Sequence, residues 1–378
     1  MQLQPFMDRI RQAADRRAPL VVRGGGSKDF YGAAGAGEVL DTTPLAGVLS
    51  YEPSELVITV GAGTALAELE AVLAEQRQCL PFEPPHFAHV EGAGRATVGG
   101  MVAAGLSGPS RASVGCVRDY VLGAAIVNGR GEHLRFGGTV MKNVAGYDVS
   151  RVLAGSMGQL GLITEVSLKV LPVAPAEATL AFACTQPEAL TLLNGWGGQP
   201  WPLNASAWQA QGTDGPGTLW LRLRGAVAAV ESACRHLGGE RCVHAHAADD
   251  WNALRDQRLP FFTQALAQGL ALWRVSLPQT APVLALPGQP LVEWHGGLRW
   301  YALPVDAAEA VRAAARAVGG HATLFRAPSA SGAGAAGRFA SHAVPRFDAP
   351  SPTLARIQQA LRERFDPAGV FNPGRLLA

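Results

Sequence analysis

The sequence predicts an α+β protein of two domains followed by a C-terminal segment. Three observations carry that prediction. The chain has 378 residues, 48% hydrophobic and 16% charged, more than one core usually fills at roughly 150 residues per domain. Residues 1–172 hold strands that run directly into glycine turns, whereas 173–326 alternate strands with helices. Pro172 and Pro175 stop a strand where the composition shifts to Ala, Trp and Gln, which sets a boundary near 172. Residues 327–378 make the closing segment.

Taken in order, residues 5–18 place Phe6, Ile10 and Ala13 or Ala14 on one helical face. A strand at 19–23 then enters Gly24-Gly25-Gly26. A second strand, 56–60, opens into Gly61-Ala62-Gly63-Thr64 and a helix over 65–75. After a proline-rich turn at 80–85 and a glycine-studded stretch at 92–115, two alternating strands, 121–128 and 132–136, flank Gly129-Arg130-Gly131 as a hairpin. A helix at 148–154, a glycine turn at 155–161 and a strand at 162–171 complete the first domain. In the second, strands are expected at 178–184, 217–224, 271–276 and 299–303, and helices at 226–236 and 307–318. The small-residue run Ala327–Gly337 reads as a mobile loop. A helix over 351–365 precedes the ending Phe371-Asn372-Pro373-Gly374-Arg375.

Composition excludes several functions. A net charge of +2 lacks the basic footprint of a nucleic-acid protein. Five cysteines without a C-x-x-C argue against a disulfide framework, an iron–sulfur centre or structural zinc, and fit a reducing compartment. The charged N-terminal stretch is not of signal-peptide type and no 18-residue apolar run follows, so a cytoplasmic protein is expected, at most peripheral to the inner membrane. His244 and His246 share one face if the segment is a strand, with Asp249 and Asp250 nearby. The polar surroundings make them a solvated pair, and no metal is predicted.

Three glycines after a strand offer unhindered N–H groups to an anion. Gly24-Gly25-Gly26-Ser27-Lys28 lacks the Walker A spacing, and Gly61-Ala62-Gly63-Thr64-Ala65-Leu66 has leucine where a Rossmann fingerprint needs its third glycine. Each cluster taken singly is a tight turn.

Their order is more informative. Arg23-Gly24-Gly25-Gly26-Ser27, Val60–Thr64, Thr97-Val98-Gly99-Gly100-Met101-Val102-Ala103, Gly115–Gly123, Gly155–Thr164 and Phe371–Arg375 together resemble the p-cresol methylhydroxylase and vanillyl-alcohol oxidase (PCMH-type) FAD-binding superfamily. Lys142–Asp148 and Glu293-Trp294-His295-Gly296-Gly297-Leu298-Arg299-Trp300 are most similar to the FAD-binding subunit of bacterial glycolate oxidase. The resemblance implies a two-subdomain PCMH-type FAD domain over 1–172, an α+β cap over 173–326, and a C-terminal helix with the FNPGR motif.

It also implies FAD held between residues 24–27 and 97–119, with cofactor contacts from Arg23, Gly24, Gly25, Gly26, Ser27, Lys28, Thr97, Gly99, Gly100, Gly115, Asp119, Ile163, Asn372 and Arg375. Gly25 and Gly26 are expected so close to the pyrophosphate that a β-carbon would clash with it. Members that attach FAD at this loop carry histidine where Ser27 stands, so non-covalent binding is expected. Arg118 and Asp119 equally suit a structural ion pair.

Oxidising a 2-hydroxy acid needs a proton acceptor and a carboxylate anchor. Four residues apart, His295 and Arg299 are the expected pair if they share a strand face. The implied function is flavin-mediated oxidation of glycolate to glyoxylate in a complex with a homologous flavin subunit and an iron–sulfur subunit. Two alternatives stay open at this point: a self-sufficient FAD-dependent D-2-hydroxy-acid dehydrogenase, and a non-catalytic assembly subunit.

Overall fold

The helix Gln4–Arg16 buries Ile10 and Ala13 beside the strand Leu20–Arg23, which pairs in parallel with Glu38–Asp41. In this computed structural model, residues 2–88, 94–138, 148–212, 215–328 and 344–376 are described. Leu20 also bridges to Phe371, and Val370 and Phe371 share a core with Ile10, Leu20 and Leu40. The chain's last motif is thereby built into its first strand.

Five antiparallel strands follow in the spatial order Val48–Glu52, Val57–Gly61, Leu162–Lys169, Val121–Val127, His133–Gly137. The central strand is buried along nearly its whole length. Its Val166 and Leu168, with Ile58 and Val60, pack on the helices Leu66–Glu75 and Val98–Ala104. Glycine and alanine in the second helix let it lie close to the sheet: a β-carbon on Gly99 would stand 2.8 Å from that of Ala62.

An eight-stranded antiparallel sheet occupies the second half, in the order Glu240–Arg241, Ala176–Cys184, Gly217–Gly225, Leu203–Ala210, Leu291–Glu293, Leu298–Leu303, Ala271–Ser276, His321–Arg326. Side chains alternate between its faces. Leu272, Leu291, Leu298 and Trp300 enter a core shared with Tyr31, Phe87, Ala104, Leu106 and Met157 of the first half. Trp273, Val275, Tyr301 and Leu303 pack on the other face with Val311 and Ala315 of the helix Ala308–Ala317.

Polar ties also join the halves. The Glu83 carboxylate accepts hydrogen bonds from Arg222 at 2.7 Å, Arg224 at 3.1 Å and the Ser110 N–H at 3.1 Å, and the His86 N–H donates to Asp256 at 2.7 Å.

Several elements depart from the sequence reading. Residues 244–255 are a helix, because Ala247, Trp251 and Leu254 recur at the 4,3 spacing of one buried helical face. His244 and His246 are therefore not on one strand face: His246 lines a groove with Trp251, and His244 borders a different cleft, beside Arg224. The strands Leu203–Ala210 and Leu291–Glu293 and the helices Gln186–Gly197 and Pro260–Ala267 were not anticipated. Ala, Trp and Gln blunt the alternation of Leu203–Ala210, and Leu291–Glu293, at 3 residues, is too short to show a period. Most of the expected loop at 327–337 and nearly all of Lys142–Asp148 lie outside the described residues. No helix among the described residues is long and apolar enough to cross a membrane.

Candidate cofactor-binding and active site

The strand Leu20–Arg23 delivers the chain to Gly24, Gly25 and Gly26 at the rim of a cleft. Glycine is required at 25 by the protein's own backbone. A β-carbon there would stand 1.7 Å from the Arg95 carbonyl oxygen, and one on Gly94 would meet the Gly25 oxygen at 2.0 Å. Two loops of the protein thus approach each other closely at this point. Gly26, at φ 75, takes the left-handed backbone that glycine tolerates. Among the described residues, no acceptor is paired with the N–H groups of Gly25, Gly26 and Ser27.

Three cationic side chains stand on the same cleft. Arg23 pairs with Asp29 at 2.7 Å. Lys28 is buried, with Nζ 3.3 Å from Ser27 Oγ and 5.7 Å from the Phe87 ring centre. Burial pushes its ammonium down to about 8, against the pull of Asp256. Arg375 donates to the carbonyls of Lys28 at 3.3 Å and Tyr31 at 3.1 Å.

Asn372 fixes the rim from the far end of the sequence. In left-handed backbone at φ 41, it accepts the Val22 N–H at 2.9 Å and donates to the Met157 carbonyl at 2.7 Å. The opposite wall holds Thr97, Gly99, Gly100 and Ile163, where Thr97 Oγ1 accepts the Gly100 N–H at 3.3 Å. Tyr31, Ala103, Ala104 and Met157 form an apolar end. None of these four was among the expected cofactor contacts, although Ala103 closes the quoted glycine motif, Ala104 follows it and Met157 lies within Gly155–Thr164.

Two expected cofactor contacts do not reach this cleft. Gly115 and Asp119 stand outside its lining. Asp119 Oδ2 accepts the Cys116 N–H at 2.9 Å, capping the short helix Val117–Tyr120. Burial works against its charge, but the hydrogen bonds from Cys116 and the nearby Arg118 and Arg151 hold the carboxyl below its ordinary value. Gly115, at φ 94, sits where a β-carbon would press on that carboxylate.

The expected pair His295 and Arg299 is not brought together. Residues 294–296 form a turn with His295 at φ 55, joining the strands Leu291–Glu293 and Leu298–Leu303. The two residues therefore share no strand face. His295 Nε2 meets Ser113 Oγ at 3.1 Å, and burial pushes the imidazole down to about 4. Arg299 alternates with Trp300, on the face of Tyr301, and its guanidinium serves the carbonyls of Ala281 and Pro282.

The cleft fits FAD. A doubly negative pyrophosphate needs oriented N–H donors and cations when taken from water, and both gather at the glycine rim. A flat ring system suits the apolar end beside the two alanines.

The FAD binding domain family matches residues 6–137. The glycolate oxidase subunit GlcE of Escherichia coli (strain K12) is 42% identical over 375 residues, 99% of this chain and 97% of that one. The glycolate oxidase subunit GlcD of Bacillus subtilis (strain 168) is 32% identical over 44% of this chain and 35% of its own length. A D-lactate dehydrogenase of Anaerostipes hadrus is 35% identical over 36% of this chain and 28% of its own. A solved alkyldihydroxyacetonephosphate synthase shares the fold at TM-score 0.67 and 15% identity, over 97% of this chain and 73% of that one. With a cleft fit for FAD and close identity along nearly its whole length, the chain belongs to the FAD-binding glycolate oxidase subunit family of flavin oxidoreductases.

Proposed function

We propose that this chain carries FAD within a glycolate-oxidising complex and passes electrons from the 2-hydroxy acid to an iron–sulfur partner. The observation that carries the reading is whole-length similarity to a glycolate oxidase subunit combined with a cleft whose amides and cations suit a pyrophosphate. Bound FAD would supply a two-electron acceptor. Arg23, Gly24, Gly25, Gly26, Ser27 and Lys28 would hold its pyrophosphate from one side and Thr97, Gly99 and Gly100 from the other. Ile163, Asn372 and Arg375 would complete the grip. Residues 1–172 would form the flavin domain, 173–326 the cap and 327–378 the closing segment.

A flavin reduced by two electrons must be reoxidised, and the sequence has neither a C-x-x-C nor a nicotinamide fingerprint. Its partners would be a homologous flavin subunit, in keeping with the partial match to a second glycolate oxidase subunit, and a cysteine-rich iron–sulfur subunit.

The isolated chain should turn over glycolate or D-lactate slowly with artificial dyes, and adding both partners should restore activity. A chain that alone reduces dye at an enzyme-like rate, on the order of 10 per second, would make it a self-sufficient dehydrogenase instead. Acid precipitation should release all of the yellow colour, because Ser27 occupies the attachment position. Flavin left on the pellet would reveal a covalent link.

A further inference from the structure

A second, smaller cavity of about 30 Å³ adjoins the cap sheet. Its apolar walls include Phe87, Leu106 and Phe325, which share a core with Tyr31, Ala104 and Met157 of the cofactor cleft. Five polar side chains interrupt the walls: Ser107, Arg255, Gln257, Arg274 and Glu293, of which Arg255 pairs with Asp256 at 2.8 Å.

Two of them lack partners. Gln257 is 3% exposed, and neither its Nε2 nor its Oε1 finds a hydrogen-bond partner among the described residues. It also holds left-handed backbone at φ 56, a cost of about 1–3 kcal/mol. Arg274 has its guanidinium 5.0 Å from the Trp294 ring centre, and no hydrogen bond from it to a described residue is seen. Arg111 lies 4.5 Å from the same ring. Tyr31 of the cofactor cleft packs its ring 5.1 Å from that of Phe325 in the cavity wall. Glu293 is buried and accepts the Trp300 indole N–H at 2.6 Å.

A buried amide without partners is costly and rare, and beside the half-buried Arg274 cation, which has no hydrogen-bonded carboxylate among the described residues, it suits an anionic ligand. We propose that this cavity receives the carboxylate end of a two-carbon 2-hydroxy acid, with Arg274 as anchor, Gln257 as orienting donor and Glu293 as acceptor of the hydroxyl proton. The proposal rests on the reading above and replaces the pair expected at 295 and 299. In the step, the substrate O–H bond breaks and its proton goes to Glu293. Bound FAD would supply the two-electron acceptor: the C2 hydrogen would leave with its electron pair to oxidised FAD, and the C2–O bond would become a carbonyl. Size sets the class: at ~10–15 Å³ per water measured in this way, the cavity admits about two or three waters, comparable to a two-carbon acid.

Burial pushes the Glu293 carboxyl up to about 7, against the Trp300 N–H and the Arg274 charge, with Glu83 adding to the rise. The acceptor must be ionised, so flavin reduction by glycolate should rise with pH through about 7. Arg274, Arg111, Glu83 and the Asp256-paired Arg255 are the charged groups around it, and Tyr31 stays neutral in this range.

The test is oxalate binding to the FAD-loaded full chain, by calorimetry and by perturbation of the flavin spectrum. Wild type should bind. Arg274→Met should bind about 30-fold more weakly or worse at unchanged FAD content, with Arg274→Lys intermediate and Gln257→Leu about 10-fold weaker. Glu293→Gln should still bind oxalate but reduce flavin with glycolate at least ~100-fold more slowly, without the rise near pH 7. Oxalate binding in Arg274→Met within about threefold of wild type would overturn the proposal. So would a wild-type chain that carries FAD and works in the complex yet ignores oxalate, and this outcome leaves the proposed function standing. Should Arg274→Met fail to fold, unchanged binding in both Arg274→Lys and Gln257→Leu overturns it equally.

Discussion

Gly25→Val is expected to give a folded chain that purifies without flavin. The valine β-carbon would stand 1.7 Å from the Arg95 carbonyl oxygen and 2.7 Å from its carbon, so the loop at 24–26 and the loop at 94–95 must part. Displacement of this kind costs about 1–3 kcal/mol. It also moves the amides that would meet the pyrophosphate, each charge-assisted hydrogen bond being worth about 1.5–3 kcal/mol. Together these predict a loss of ~10³-fold or more in FAD affinity. The fold should survive, because Gly25 belongs to none of the apolar cores. Far-ultraviolet circular dichroism and the flavin absorbance of the purified variant are the measurements. Stoichiometric FAD in the variant would remove this loop from the cofactor site.

Glu83→Ala should lower the unfolding free energy by about 3–5 kcal/mol. The substitution leaves the buried Arg222 guanidinium, now served only by Asn204 at 2.7 Å, without its carboxylate, and Arg224 with Glu177 alone. Glu83→Gln should fall between, since the amide keeps one acceptor without the charge. Burial opposes ionisation of Glu83, but Arg222 and Arg224, with the Ser110 N–H, hold the carboxyl below its ordinary 4.5. A carboxyl depressed on folding stabilises fully above the unfolded value and loses that contribution as pH falls through the folded one. The gap between wild type and Glu83→Gln should therefore be full above pH 4.5 and close below it. Urea midpoints across pH measure this, and a destabilisation of Glu83→Ala under about 1 kcal/mol would show that the cluster does not clamp the two halves.

Much of the architecture was legible because its causes are local. A glycine turn after a strand, a helix with Ile10 and Ala13 on one face, and the hairpin around Gly129–Gly131 each follow from backbone sterics or side-chain period within a few residues. The cap was read less completely. The strands Leu203–Ala210 and Leu291–Glu293 are placed by pairing with partners up to 86 residues away, as Ala207 with Glu293 shows, and their own alternation is weak.

By itself the sequence determined the flavoprotein class and the segments that meet at the cofactor cleft, since close backbone packing demands glycine wherever the chain later folds. Tertiary structure alone decided what those glycines face, and it set Gly25 against the Arg95 backbone. It also separated His295 from Arg299, because the turn at 294–296 breaks the strand register that sequence spacing assumes. And it joined Glu83 to Arg222, 139 positions away, and gathered Gln257, Arg274 and Glu293 around one cavity. Charge pairing and desolvation act through space over a few ångströms, so their partners are chosen by the packing of the sheets and leave no periodic trace along the chain.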